Sequence, residues 1–298
     1  MQIQYTPFTY AVSQALLAQL QNDYPFAEFS VFGRTVSKRG IFALSVGEGT
    51  ENILFLAGLQ AEDTAAPLLL YRFFARICAC FRADSSLCNV QIRRSLQGRK
   101  ITVVPCANPD AFEIRRYGAL GAGCYAGLVS RAAGNSTFEN WCANARGVNV
   151  AHNFDFRHQS VILQSADARP SPFAYAGPAP ESEAETAALV RLCLRENFRH
   201  SILLNGYGQR FFWSGAEGCF QKHDIPLTAK VLAGAADYTL SEKEETLHHG
   251  AFPEWFASAF HRSAFEIAAG NAPRVENQAE LDAVYREIEE MLLLSALL

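Results

Sequence analysis

The chain has 298 residues, 49% of them hydrophobic and 19% charged, a balance that suits a packed globular protein and excludes disorder as its main character. A formal net charge of −4 supplies no basic footprint for a nucleic-acid backbone or an anionic lipid surface, so both partners are set aside. The opening MQIQYTPFTY has neither a basic n-region nor an apolar h-region, and no run of about 18 apolar residues suggests a membrane span, so a cytoplasmic protein is expected.

In chain order, helical spacing of apolar residues over 10–21 predicts a first helix, and short apolar runs at 41–46 and 53–57 predict buried strands. A helix over 65–81 and a strand over 101–105 follow. Residues 117–177 are rich in Gly, Ala, Asn and Ser and show no period, which predicts a long loop region facing a substrate. Beyond it come a helix over 182–197, a strand over 201–204, a helix over 253–260, a strand over 264–268 and a closing helix over 278–297. Ser182-Glu183-Ala184-Glu185 has the capping-box pattern, in which hydroxyl and carboxylate each satisfy an orphan N–H. Strand and helix alternate, so the expected class is α/β: one domain over 1–298, a sheet with helices on both faces, and ligand chemistry at the carboxyl ends of the strands.

The eight cysteines sit within apolar runs such as Ile77-Cys78-Ala79-Cys80, where a free thiol behaves as a small hydrophobe, so reduced cysteines are expected.

Several segments share an order with a known family. Phe32-Gly33-Arg34-Thr35-Val36 precedes the strand at 41–46, and Gln60-Ala61-Glu62-Asp63 follows the strand at 53–57. Asn108-Pro109-Asp110 is similar to a Pro-x-x-Asn-Pro-Asp-Gly turn, with Ala111 in place of the final Gly. Trp141-Cys142-Ala143-Asn144 and Arg146-Gly147-Val148-Asn149-Val150-Ala151-His152-Asn153-Phe154 resemble W-x-A-N-x-R-G-V-D-L-N-R-N-F. Tyr175-Ala176-Gly177-Pro178 leads to Ser182-Glu183-Ala184-Glu185-Thr186, similar to Y-x-G-P-x-x-x-SEPET, and Phe265-Glu266-Ile267 resembles F-T-x-E. Together, across residues 5–295, these resemble the carboxypeptidase A-like zinc metallocarboxypeptidases, above all the bacterial branch acting on γ-D-glutamyl-diaminopimelate stem peptides. The resemblance implies a twisted mixed β-sheet flanked by helices.

It also implies a zinc site of His, Glu and His, whose positions fall here on Gln60, Asp63 and Asn205. Amide oxygens are weak, neutral ligands for zinc, so no cofactor is expected; an all-oxygen set would better suit weakly bound magnesium, calcium or manganese. Glu266 stands at the general-base position, and Arg146 is the candidate for stabilising an oxyanion. Ala151-His152 replaces the Asn-Arg that clamps a terminal carboxylate, leaving His152 and the adjacent Asn153 as substrate-side candidates. Tyr207 and Arg210 could line a specificity pocket for an acidic group, or Tyr207 to Trp213 could simply pack; His248 and His249 lie on a substrate-side loop, with His249 kept as a binding candidate. Arg115-Arg116 could meet carboxylates or be solvated surface charge.

Three readings follow. The preferred one is a non-hydrolytic binder of peptides or cell-wall stem-peptide fragments. The alternative is an active metallocarboxypeptidase or γ-D-glutamyl-diaminopimelate peptidase with a repositioned or different metal and Glu266 as base. The third is an interaction protein using the apolar run Met291-Leu292-Leu293-Leu294.

Overall fold

The computed structural model describes residues 3–61, 65–158, 169–215, 225–241, 249–272 and 274–298. In chain order the strands are β1 (Glu28–Arg34), β2 (Gly40–Val46), β3 (Glu48–Ala57), the short pair β4 (Ser86–Leu87) and β5 (Val90–Gln91), β6 (Gln97–Val104), β7 (His200–Leu204), β8 (Arg210–Ser214), β9 (Thr239–Leu240) and β10 (Ala264–Ala268). The helices are α1 (Tyr10–Asp23), α2 (Ala66–Ala83), α3 (Ile92–Ser95), α4 (Pro109–Tyr117), α5 (Ala126–Ala133), α6 (Ala184–Glu196), α7 (Leu227–Ala235), α8 (Phe252–Phe260) and α9 (Gln278–Leu297).

Eight strands form one mixed sheet in the order β1-β2-β6-β3-β7-β10-β8-β9. At its centre β6, β3, β7 and β10 run parallel; β1, β2 and β8 join by antiparallel pairing, and β9 lies parallel to β8. Buried on both sides, the central strands have apolar residues on both faces, which explains continuous runs in place of alternation. Ile53, Phe55, Val103, Ile202, Leu204, Phe265 and Ile267 pack on one side with α2 and α9. Leu54, Leu56, Val104, Leu203 and Ala264 pack on the other with α6 and α8. Helices therefore cover both faces, as the alternation of elements predicts.

The predicted bounds at 264–268 and 278–297 coincide with β10 and α9. Met291, Leu292 and Leu293 are buried in the core beneath the sheet, which removes the basis for treating that run as an exposed interface. Within the 207–213 run, Phe211, Phe212 and Trp213 are buried, as packing of that run would have it, and they lie on strand β8, which the sequence did not mark. The 117–177 segment also has more structure than expected: a 3-10 stretch over Gly118–Tyr125, helix α5, and a small core in which Val129 and Trp141 pack with Ile114 of α4. Small residues hide its period, since Gly and Ala carry little apolar signal. No described helix is long and apolar enough to cross a membrane, and the seven described cysteines are all free thiols.

Two helix starts set the site. Asn108 caps α4, its Oδ1 accepting from the Ala111 N–H at 3.3 Å, with Pro109 in the first turn, where its missing N–H is harmless. Its Nδ2 donates to the carbonyls of Leu59 at 3.1 Å and Cys142 at 3.3 Å, tying the exit of β3 to the 141–153 segment. At α6 the expected capping box does not form. Glu183 occupies the N-cap position with no side-chain cap, Ser182 Oγ donates to Glu183 Oε1 at 2.9 Å, and Glu185 accepts from the Val36 N–H at 3.2 Å. Glu185 is spent on a tertiary contact, which local pattern cannot reveal.

Candidate functional site

Three parallel strands deliver their exits to one edge of the sheet. Gln60 follows β3, Asn205 follows β7, and Glu266 lies within β10, opposite Leu203 on one side and Phe212 on the other. They border a cavity of about 750 Å³ that Tyr207, Arg210 and His152 also line. A crevice at the carboxyl ends of strands is where an open α/β sheet offers loops without blocking its own hydrogen-bond ladder.

The backbone N–H of Asn205 donates to the Ile267 carbonyl at 2.9 Å, extending the β7–β10 pairing one residue past the strand. That fixes the side chain, whose Nδ2 donates to Glu266 Oε1 at 3.3 Å. Gln60 Nε2 donates to Asn149 Oδ1 at 3.3 Å. Asn149 in turn accepts from the Ala151 N–H at 3.2 Å and donates through Nδ2 to the Phe173 carbonyl at 2.7 Å. Sequence reasoning missed Asn149, although it stands where the matching motif has Asp.

His152 ends the 3-10 turn Val150–His152, and its Nδ1 lies 2.8 Å from the His249 carbonyl. A carbonyl only accepts, so Nδ1 carries the hydrogen in this contact. Next to His249, Gly250 has φ +67°, and a Cβ there would stand 2.1 Å from the His152 carbonyl oxygen. Gly250→Ala is therefore expected to destabilise the fold by at least ~2 kcal/mol and to displace His152. Urea unfolding of the variant checks this; unchanged stability would mean the turn tolerates a side chain.

Arg210 opens β8 at the cavity mouth, exposed, with its guanidinium 5.5 Å above the Phe212 ring. Among the described residues no carboxylate pairs with it. Tyr207 is 42% exposed at the same mouth.

The remaining candidates do not reach this cavity. Arg146 Nη1 lies 3.5 Å from the Oε1 of fully buried Glu183. Asn153 is buried, donating to the carbonyls of Ala176 at 2.7 Å and Ala179 at 3.0 Å and accepting from the Glu183 N–H at 3.1 Å, so it braces the loop under the site. His249 is buried and meets the site through its carbonyl to His152. Asp63 and His248 lie outside the described residues. His200, at the far end of β7, sits 2.7 Å through Nε2 from the Ser295 carbonyl, and burial pulls its pKa down to about 4, which keeps it neutral.

Behind the 141–153 segment lies a buried acid cluster. Asp110 accepts from Thr35 Oγ1 at 2.8 Å and from Arg39 Nη1 at 2.6 Å. Asn144 Nδ2 donates to Glu183 Oε2 at 2.7 Å and Glu185 Oε2 at 3.3 Å, while its Oδ1 accepts from the N–H groups of Arg146 and Val148. Burial, and then the charge of Asp110, push the Glu185 carboxyl up to about 8. This cluster holds the loop that carries Asn149 and His152.

A family model described as zinc carboxypeptidase matches residues 13–270. Gamma-D-glutamyl-L-diamino acid endopeptidase 1 of Lysinibacillus sphaericus is 19% identical over 282 residues, which cover 94% of this chain and 70% of that protein. Bovine thrombin-activatable fibrinolysis inhibitor, solved with tick carboxypeptidase inhibitor, matches with a TM-score of 0.74 at 15% identity, over 98% of this chain and 96% of that one. Murein-tripeptide amidase MpaA from Escherichia coli O157 matches with a TM-score of 0.54 at 18% identity, over 90% of this chain and 91% of that one. Likeness at such low identity to solved structures speaks for the fold.

Proposed function

The chain belongs to the zinc carboxypeptidase family, and from that premise we propose that it is a non-hydrolytic member that binds peptides, or stem-peptide fragments of the γ-D-glutamyl-diamino acid type, in the cavity at the strand exits. The observation that carries this reading is the Gln60–Asn149 amide pair. A ligand imidazole ordinarily donates its second N–H to a carboxylate that orients it and raises its basicity. Here an amide stands at the first of the ligand-equivalent positions and an amide stands behind it, so both the ligand and its support have lost the chemistry zinc requires.

The donor set does not fit zinc on other grounds as well. Gln60 and Asn205 are neutral and offer a cation only amide oxygens, which zinc disfavours beside imidazole, thiolate or carboxylate. Among the described residues no group of three His, Cys, Asp or Glu side chains could hold a metal ion. Glu266, bonded to Asn205, then serves as a fixed acceptor for a ligand N–H rather than as a base.

Arg210 supplies the positive charge at the mouth. Stacked on Phe212, its planar fork keeps its donors directed, and a carboxylate paired with it gains charge-assisted hydrogen bonds. Tyr207 offers an aromatic face for a neighbouring side chain.

Calorimetry with an L-Ala-γ-D-Glu-diaminopimelate tripeptide and with ordinary C-terminal dipeptides tests the proposal. Saturable binding without release of free amine is expected, and Arg210→Ala should weaken it about tenfold to a hundredfold, the scale of a hydrogen bond to a charged group. Stoichiometric zinc at sub-micromolar affinity together with steady hydrolysis would overturn the reading and favour the active alternative.

A further inference from the structure

The N-terminal segment closes a second, smaller cleft of about 250 Å³ that the site above does not use. Its floor is apolar. Phe8 and Phe112 are buried and meet edge to face, with ring centroids 5.1 Å apart. Its rim carries charge of both signs: Arg116 near the end of α4, Arg274, Glu139 and Glu276. Among the described residues none of these four forms an ion pair, although they share one opening. Arg115 also borders the cleft, but its Nη1 donates to the Ala61 carbonyl at 2.7 Å and so serves the exit of β3. Arg274 further borders a void of about 10 Å³ that reaches Gly206 and Tyr207, which makes the two cavities neighbours.

The lining decides among ligand chemistries. A simple anion would meet two carboxylates, and a simple cation would meet the guanidinium groups. A neutral apolar molecule would cover Phe8 and Phe112 but leave every rim charge with water alone. A molecule with both charges and an apolar body matches all of them. The volume lies below the ~300 Å³ at which pockets for drug-sized ligands begin, so a ligand of about one residue is indicated, not a peptide.

We propose that this cleft binds a small zwitterion with an apolar body, the chemistry of a free aromatic or aliphatic α-amino acid. Its carboxylate faces Arg116 and Arg274, its ammonium faces Glu139 and Glu276, and its side chain lies against Tyr5 and Pro7, above the buried Phe8 and Phe112.

Calorimetric titration of the full chain with L-phenylalanine tests this. Saturable binding with Kd on the order of a millimolar is expected, with N-acetyl-L-phenylalanine and L-phenylalaninamide each at least about tenfold weaker. Arg116→Ala with Arg274→Ala should abolish binding at an unchanged melting temperature, since both side chains are exposed. Should that pair fail to fold, Glu139→Gln with Glu276→Gln must weaken L-phenylalanine while sparing N-acetyl-L-phenylalanine. Arg210→Ala, which alters only the main cavity, separates the two sites by leaving the L-phenylalanine isotherm as it was. No saturable binding, equal binding of the capped analogues, retention in the double arginine variant, or loss through Arg210→Ala overturns the assignment.

Discussion

Replacing Glu185 with Gln is expected to raise the stability of the fold above pH 8 and to flatten its dependence on pH between about 4.5 and 8. Glu185 is fully buried in the first turn of α6, and its carboxyl is pushed up to about 8 by burial and by the nearby charge of Asp110, with Glu183 adding to the effect. In the unfolded chain the same group titrates at its ordinary value of 4.5. Between these values the folded state holds a proton that the unfolded state has released, so stability falls as pH rises through that window and levels off above it. Integrated over the window, the loss is at most ~5 kcal/mol, a large share of a typical domain's stability.

Gln carries no charge to bury and keeps one acceptor for the Val36 N–H, while its NH₂ replaces the oxygen that accepts from Asn144 Nδ2 at 3.3 Å, a lost hydrogen bond smaller than the ionisation cost it removes above pH 8. The other charges of the cluster remain: Asp110 with Arg39, and Glu183 with Arg146. Urea unfolding from pH 5 to 9 of the wild type and E185Q measures the effect. The gap between them should widen with pH and then hold constant; parallel profiles would show that Glu185 is ionised in the fold throughout.

Sheet and helices were legible wherever the physics is local. The run over 264–268 is short, apolar and bounded, and the 278–297 helix has both an Asn277 cap and a sustained period, so their bounds coincide with β10 and α9. Strand β8 escaped because Phe211, Phe212 and Trp213 are all buried, which erases alternation, while Arg210 at its start looks like a loop residue. Gln60, Asn205 and Glu266 were singled out through the family resemblance, and they border one cavity because β3, β7 and β10 are parallel neighbours in the sheet. What was not legible is tertiary. Asn149 touches Gln60 across 89 positions of chain, and Asp110 meets Glu185 across a comparable gap, so no local spacing could have paired them. Arg146 and Asn153 looked available in the motif because a sequence does not show that Glu183 draws on both.

The strongest gain expected from the site itself is a metal. Gln60→His, Asp63→Glu and Asn205→His together are expected to give a protein that takes up a stoichiometric zinc ion, with affinity higher than that of the unaltered chain by about three orders of magnitude or more, or ~4 kcal/mol. The two described positions are already fixed by the sheet: Asn205 by its backbone bond to Ile267, and Gln60 by the Asn108 side chain holding the carbonyl of its neighbour Leu59. A new imidazole at 60 would still face Asn149, whose amide oxygen accepts a hydrogen bond but carries no charge. Adding Asn149→Asp should therefore deepen affinity by a further tenfold to hundredfold, about the weight of an outer-shell carboxylate on a ligating His. Elemental analysis after dialysis and competition with a chelator give both numbers. Tight stoichiometric zinc in the unaltered protein would mean that amides suffice at these positions. An Asn149→Asp step without effect would mean that the Gln60–Asn149 contact does not govern the ligand. If both steps behave as expected, the scaffold has kept the geometry of a zinc site while its side chains have lost the nitrogen donors and the charge that hold the ion.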